Sequence, residues 1–367
     1  MFFKKSYYKV IVIIISMTFC FSCNTKEDKN VVSFTIGYNT NHLNRGVFFD
    51  KKNSEYQFWF VNPQHDPKIK FYNLNGEFLD SIPLNIDKNQ NINNLTVLSK
   101  DTILVIEGDQ NNIDILDRKG TIVYTQSLRK MISSFSNDNY FFVPFKNSSI
   151  KNVELENLVF AIYYAGNDYV LNNATEEDNF DLFFDEQRKS YHVANVKNLL
   201  DATSKVTMNL GLKGFTAIEN EGEKIINRGG EYNVIHGKDN FIFFSVFTKM
   251  VYEIDNDLKI VKKINTVPSS SEHSSLEGIF NVMFDPFLNQ YYVVIFKYQD
   301  KLDLIDEKPI SFFVQSYDDK FNFINQQEFS TEKYNPMTIL LTKKGLYIEL
   351  INNQEYGKVN YEIFNTM

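Results

Sequence analysis

The chain has 367 residues, with 38 basic and 46 acidic side chains and a net charge of −8 at pH 7. This acidic balance argues against nucleic acid or an anionic membrane surface as a partner, because both are bound by clustered Lys and Arg. Two cysteines are too few for a thiolate zinc cluster. Aromatic residues make up 15% of the chain, with 34 Phe and 21 Tyr, and they favour pleated strands, so the composition predicts an all-β fold.

The first 22 residues have the three parts of a secretory signal peptide. Three lysines lie within the first nine residues, the apolar run VIVIIISMTFCF spans 10–21, and the small residue Ser22 precedes Cys23. The run is shorter than the roughly 20 apolar residues that a membrane-spanning helix needs. An ordinary secretory peptide with an incidental cysteine is the alternative interpretation.

The cysteine at the end of this segment resembles the lipobox of bacterial lipoproteins. In that family the thiol is acylated, and the cysteine becomes the first residue of the mature chain. The position three residues before the cysteine is usually Leu in the family and is Cys20 here. The resemblance implies an acyl anchor on Cys23 in the outer-membrane bilayer and removal of residues 1–22. The mature chain would then hold 35 basic and 46 acidic residues, a net charge of −11, and no cysteine pair for a disulfide.

A short charged tether, residues 23–30, follows the predicted cleavage point. Within it Lys26, Glu27 and Asp28 resemble the lysine-plus-two-acids export signal of Bacteroidota surface lipoproteins. A merely solvated tether is the alternative, since short charged runs are common beyond an anchor. We expect display on the outer surface of the cell rather than a periplasm-facing anchor.

Six pairs of short apolar strands, each pair joined by a polar segment, follow the tether. The first strands of the pairs begin near residues 56, 102, 158, 241, 291 and 345, a mean step of about 58 residues, which is typical of propeller blades. We therefore predict a single six-bladed β-propeller over residues 31–367, with an insertion near residues 146–185. The segment VVSFTIGY (31–38) is expected to complete the last blade beside VNYEIF (359–364). A β-sandwich or two smaller β domains are the alternatives.

These features together resemble the six-bladed β-propeller lipoproteins of Bacteroidota, many of which are functionally uncharacterised. The resemblance rests on Cys23, on the strand–turn–strand units, and on the segments FDPFLNQYYVVIFKY and MTILLTKKGLYIEL. It is architectural and covers nearly the whole mature chain. The family has no agreed catalytic residues, so none is carried over to this sequence.

The sequence predicts no catalytic, cofactor-binding or metal-binding residue. None of the five histidines belongs to an H-E-x-x-H motif, and no G-x-S-x-G or G-x-G-x-x-G motif is present. His236 lies among turn residues that could line a ring opening, although a simple loop is the plainer interpretation. The acidic run EEDNFD (176–181) has oxygen ligands suited to calcium but lacks the spacing of an EF-hand, which favours a solvated insertion.

Two functions are compatible with this pattern. The favoured one is a non-catalytic binding or scaffold propeller, held in the cell envelope and contacting a protein, a peptide or a glycan. The alternative is a polysaccharide-acting enzyme, a lyase or a glycosidase, with carboxylates and a histidine at the mouth of the ring. We expect a monomer, because closing the ring removes the sheet edges through which chains pair.

Overall fold

A computed structural model describes sixteen segments of the chain, and residues 1–29 lie outside them. The described residues are 30–40, 43–85, 92–107, 112–127, 139–142, 156–165, 189–198, 206–209, 218–220, 223–225, 232–245, 250–255, 259–266, 276–299, 308–351 and 355–365. The chain divides into two compact units, Met1–Val31 and Val32–Met367. In these segments we find no helix with the length and apolar character that crossing a bilayer requires.

The second unit is built from four-stranded antiparallel sheets, each formed by strands that follow one another along the chain. The first three are sheet 1 (β2 Asn44–Asp50, β3 Glu55–Asn62, β4 Asp66–Tyr72, β5 Phe78–Pro83), sheet 2 (β6 Ile92–Ser99, β7 Thr102–Glu107, β8 Asn112–Leu116, β9 Ile122–Ser127) and sheet 3 (β10 Asn139–Phe142, β11 Glu156–Ala165, β12 Lys189–Asn198, β13 Val206–Asn209). A small hairpin of β14 (Ile218–Asn220) and β15 (Glu223–Ile225) comes next.

Three further sheets complete the unit, and the last of them takes its fourth strand from the start of the chain. They are sheet 4 (β16 Tyr232–His236, β17 Phe241–Ser245, β18 Met250–Ile254, β19 Ile260–Asn265), sheet 5 (β20 Leu276–Asp285, β21 Gln290–Tyr298, β22 Ser311–Tyr317, β23 Phe323–Ser330) and sheet 6 (β24 Tyr334–Thr342, β25 Gly345–Leu350, β26 Lys358–Phe364, β1 Val31–Thr35).

The strand β1 closes the ring, as its sequence predicts. It lies beside β26 at the outer edge of sheet 6. The backbone N–H groups of Ile36 and Gly37 donate to the carbonyl of Gly357 at 2.8 and 3.0 Å, and Ser33 Oγ donates to Asn360 Oδ1 at 2.5 Å. These pairings show that β1 runs antiparallel to β26, so the first and last strands of the unit are joined by hydrogen bonds.

The predicted class, an all-β propeller, is confirmed. The first strands of successive sheets lie next to each other, β2 beside β6 and β24, and β20 beside β16 and β24, as blades do around a central axis. Side chains are described in sheets 1, 2, 4, 5 and 6, and the burial of these side chains shows five packed blades. Sheet 3 has the same strand order, but its side chains lie outside the described residues, so the sixth blade stays a prediction.

Each predicted strand pair corresponds to the second and third strands of one sheet. These strands are buried on both faces, which gives the apolar runs that the sequence displays, as in β3 and β22. The fourth strands, such as β5 and β19, are largely exposed and lack such a run. The predicted insertion near 146–185 includes β11, which pairs with β12; the rest of that range lies outside the described residues.

The turns between third and fourth strands repeat the same hydrogen bonds. In sheets 1, 2 and 5 the side-chain oxygen of Asn73, Asp117 or Asp318 accepts the N–H groups two and four residues later, at 2.8 to 3.0 Å. The fourth turn residue has a positive φ and is Gly76, Gly120 or Phe321. Only glycine fits at position 120, because the Cβ of any other residue would lie 1.5 Å from the carbonyl oxygen of Pro83 in the preceding sheet.

The alternation of strands gives the ring two ends. The hairpin end carries the turns after first and third strands, including 51–54, 286–289 and 343–344. The crossover end carries the connections between second and third strands and between successive sheets, including 63–65 and 331–333. The two ends present different chemistry.

Candidate functional site

A bulge in the innermost strand of sheet 6 builds a polar site near the crossover end. The register of β24 on β25 breaks between Asn335 and Ile339, so the residues between them have no partner on β25. Thr338 Oγ1 and Asn335 Nδ2 each donate to Glu349 Oε2 at 2.8 Å, while Met337 between them is exposed. The bulge thus turns two polar groups inward and one apolar side chain outward.

An arginine from the neighbouring blade completes this site. Arg45 Nη1 on β2 lies 2.9 Å from Glu349 Oε2 and 3.4 Å from the hydroxyl of Tyr361. Both members of the ion pair are largely buried. Burial acts to lower the pKa of Arg45, but nearby Tyr361 and Glu349 outweigh it and raise that pKa above its ordinary value. Arg45 is therefore cationic at any physiological pH and bridges sheets 1 and 6.

The carboxylate of Glu349 acts here as an acceptor for three donors from two strands, β2 and β24. Its Oε2 atom accepts hydrogen bonds from the side chains of Asn335 and Thr338 and forms the ion pair with Arg45. This arrangement fixes the positions of the three donor side chains. Burial also raises the pKa of Tyr361, so its hydroxyl stays protonated beside the ion pair. The site therefore offers hydrogen-bonding groups in a fixed geometry at the junction of the first and last blades.

A second group of buried polar residues lies at the hairpin end. Asp285, at the end of β20, accepts the backbone N–H groups of Phe287 and Leu288 on Oδ1 at 2.8 and 3.2 Å. Burial raises the pKa of Asp285 above its ordinary value. The hydrogen bonds from the two N–H groups act in the opposite direction but are outweighed by burial. The hydroxyl of Tyr56 in sheet 1 is buried, and its pKa is raised by that burial and then by the charge of Asp285.

The predicted site residues are not brought together by the described structure. Cys23, Lys26, Glu27 and Asp28 all lie outside the described residues, as does the acidic run 176–181. His236 is the last residue of β16, and its ring packs 4.8 Å from that of Phe241. Within the described segments no group of three His, Cys, Asp or Glu side chains has an arrangement that could hold a metal ion.

The pair of Arg45 and Glu349 was missed by sequence reasoning. One signal for it exists, since Glu349 interrupts the buried strand GLYIEL, and a carboxylate in such a strand requires a partner. The partner lies 304 positions earlier in the chain and was not identifiable from spacing. Only ring closure brings the two together.

We expect Glu349→Gln to lower the free energy of unfolding by about 3 kcal/mol, because it leaves the Arg45 charge buried without a countercharge. Urea denaturation of the purified protein measures the change. Glu355→Gln is the matched control, since Glu355 pairs with Lys358 at 2.6 Å on the surface and is expected to contribute less than about 1 kcal/mol. A Glu349→Gln protein as stable as the control variant would contradict a structural role for the buried pair.

Comparison with known proteins supports the fold and leaves the function open. No family model matches the chain, and no curated protein matches it. A solved structure of a DUF4221 family member from Bacteroides vulgatus superposes with a TM-score of 0.62 at 14% sequence identity, covering 92% of this chain and 97% of that one. At this identity the similarity shows a common fold.

Other solved structures match more loosely. A protein of unknown function from Bacteroides caccae gives a TM-score of 0.40 at 10% identity and covers 80% of this chain and 82% of its own. The β-propeller domain of Cps50 (Swd1) from Myceliophteria thermophila also gives 0.40, at 9% identity, covering 92% and 99%. The assignment as a β-propeller rests on the sheets described above, and no activity is assigned to the chain by comparison.

Proposed function

We propose that this protein is a lipid-anchored outer-membrane lipoprotein of a Bacteroidota species whose six-bladed propeller binds a protein, peptide or glycan without catalysis. Cys23 is the attachment point, and Lys26, Glu27 and Asp28 direct the protein to the outer surface. Support for the source comes from the resemblance of Lys26, Glu27 and Asp28 to a Bacteroidota export signal, and support for the anchor comes from the order of basic, apolar and small residues before Cys23. Sheet 3 is counted as the sixth blade because its strand order matches the other five.

The observation that carries the binding function is a group of exposed apolar side chains at the crossover end. Its members are Ile310, Met337, Ile351 and Tyr356. The connection between sheets 5 and 6 links three of them: Thr331 Oγ1 donates to Ile310 O at 2.8 Å, Lys333 O accepts the N–H of Ile351 at 2.9 Å, and Met337 follows four residues later. Tyr, Met and Arg are the residue types enriched where proteins meet.

The two buried carboxylates described above, Glu349 and Asp285, are not placed for catalysis. Glu349 is held by three donors, as described above, and is not positioned as a base. Asp285 has the raised pKa that a general acid requires, but it is 1% exposed and its Oδ1 is bonded to the backbone of its own turn. A polysaccharide-acting enzyme would need such a group within reach of a substrate, so we favour the binding function.

Cys23→Ala should abolish incorporation of an alkyne fatty acid, since the thiol is the acylation site. Metabolic labelling in a Bacteroidota host, followed by in-gel detection, measures it. The Cys20→Ala protein is the matched control and should label like the wild type, because Cys20 lies within the segment that is removed. Equal labelling of the Cys23→Ala protein would show that the anchor proposal is wrong.

Export to the surface can be followed with a new thiol at Tyr356, which is 82% exposed. A membrane-impermeant maleimide should label the Tyr356→Cys protein in intact cells. Replacing Lys26, Glu27 and Asp28 with Ala in that protein should remove most of the labelling in intact cells but not in lysed cells. Unchanged labelling in intact cells would mean that these three residues do not direct export.

The binding face can be tested by a photo-crosslinking amino acid in place of Met337. Met337 is 60% exposed, and Val123, on the outer strand β9, is a matched control at 59%. In intact cells, position 337 should give a discrete crosslinked species that position 123 does not give, and protease treatment of that species would tell a protein from a glycan. The same pattern from both positions would contradict a specific binding face at the crossover end.

A further inference from the structure

The turn 286–289 at the hairpin end presents two adjacent apolar side chains in a fixed shape. Phe287 is 56% exposed and Leu288 is 46% exposed, although both are large apolar residues. Asp285 accepts both of their backbone N–H groups, and Asn289, with a φ of 56°, donates from Nδ2 to Asp319 Oδ2 at 2.9 Å. The turn is therefore held from both sides, which keeps the exposed pair at its apex.

This turn extends towards sheet 1, past the neighbouring sheet 6. The ring of Phe287, from sheet 5, lies 5.7 Å from that of Tyr56 in sheet 1, although sheet 6 comes between these two sheets in the ring. Sheet 6 permits this contact because its own turn at this end is short, with Thr342 pairing directly with Gly345. The exposed pair is thus close to the junction of sheets 1 and 6.

The second unit also begins at this end. Since β1 is antiparallel to β26, Val32 lies towards the end of the ring that β26 reaches at Phe364. The partner of Phe364 is Leu346, the second residue after the turn 343–344. A Cβ at Gly76, in a turn of the hairpin end, would lie 3.1 Å from Val32 Cγ1. Val32 lies nine positions after Cys23, and an extended chain of that length spans at most about 30 Å. An acyl group on Cys23 therefore holds the hairpin end within about that distance of the bilayer.

The charges around the exposed pair are mixed. Neighbouring hairpin turns carry exposed lysines, among them Lys52, Lys343 and Lys344, and exposed acids such as Glu55 and Asp239. The aliphatic part of a lysine side chain can lie along apolar surface while its ammonium group reaches the headgroup region. Because the acids offset much of this charge, contact with a bilayer would depend on the apolar pair and not on anionic lipid.

We infer that the hairpin end rests on the bilayer that holds the acyl chain, with Phe287 and Leu288 inserted at the headgroup boundary. This inference rests on the proposed acylation of Cys23. It places the crossover end, with Met337 and Tyr356, away from the membrane and open to a partner. The short tether and the apolar turn lie at the same end, and together they set the orientation of the propeller relative to the bilayer.

The test uses acylated protein in phosphatidylcholine vesicles, with the acyl group verified by mass beforehand. Leu288→Cys or Tyr356→Cys carries an NBD fluorophore, and the vesicles contain a doxyl-labelled lipid as quencher. We expect at least a twofold loss of emission at position 288 and little change at position 356. Equal quenching at both positions, at neither, or mainly at 356 would overturn the inferred orientation while leaving the anchor intact.

A second measurement separates insertion from anchoring. Protein starting at residue 24 has no acylation site and retains the compact unit Val32–Met367. Its partition onto phosphatidylcholine vesicles should fall at least tenfold in the Phe287→Glu, Leu288→Glu protein, and a Phe78→Glu, Leu79→Glu protein, altered at exposed residues of the outer strand β5, is the control. Equal partition of all three proteins would overturn insertion of the turn whatever the state of Cys23.

Discussion

Pairing of the first strand with the last sheet is the constraint on which the ring depends. Sheet 6 has three strands from the end of the chain and needs β1 as its fourth. Phe34 on β1 packs 4.8 Å from Phe58 in sheet 1 and 5.7 Å from Tyr361 in sheet 6, and all three rings are fully buried. Each such burial is worth roughly 1.5–3 kcal/mol, so closure is driven mainly by aromatic packing.

The ion pair of Arg45 and Glu349 adds specificity to this junction. A buried pair of this kind contributes little net stability relative to apolar residues, but a misplaced register would leave one charge alone in the core. Thr338 and Asn335 also contribute to this specificity, because only the bulged form of β24 supplies both donors to Glu349. At this junction the aromatic rings therefore supply the stability, and the buried ion pair supplies the specificity of strand register.

The two ends of the ring differ because of their connections. At the hairpin end the described turns after the third strands of sheets 1, 2 and 5 repeat one hydrogen-bonded form, with Asp117 and Asp318 in equivalent roles. The turn after β20 differs from them by carrying an exposed apolar pair. Connections at the crossover end vary in length and composition, as functional loops on a rigid scaffold commonly do. This division underlies the proposed attachment at one end and the proposed recognition at the other.

The sequence by itself determined the strand class, the central strand pairs and the closing strand, because strands buried on both faces require unbroken apolar runs such as YQFWFV. The turns after third strands are marked in the sequence only in part: Gly76 and Gly120 accept the positive φ, but Phe321 holds the same position in sheet 5. Tertiary structure alone decided which distant groups meet, Arg45 with Glu349 and Phe287 with Tyr56. Those contacts depend on how blades follow one another around a closed ring, and spacing along a chain carries no information about that geometry.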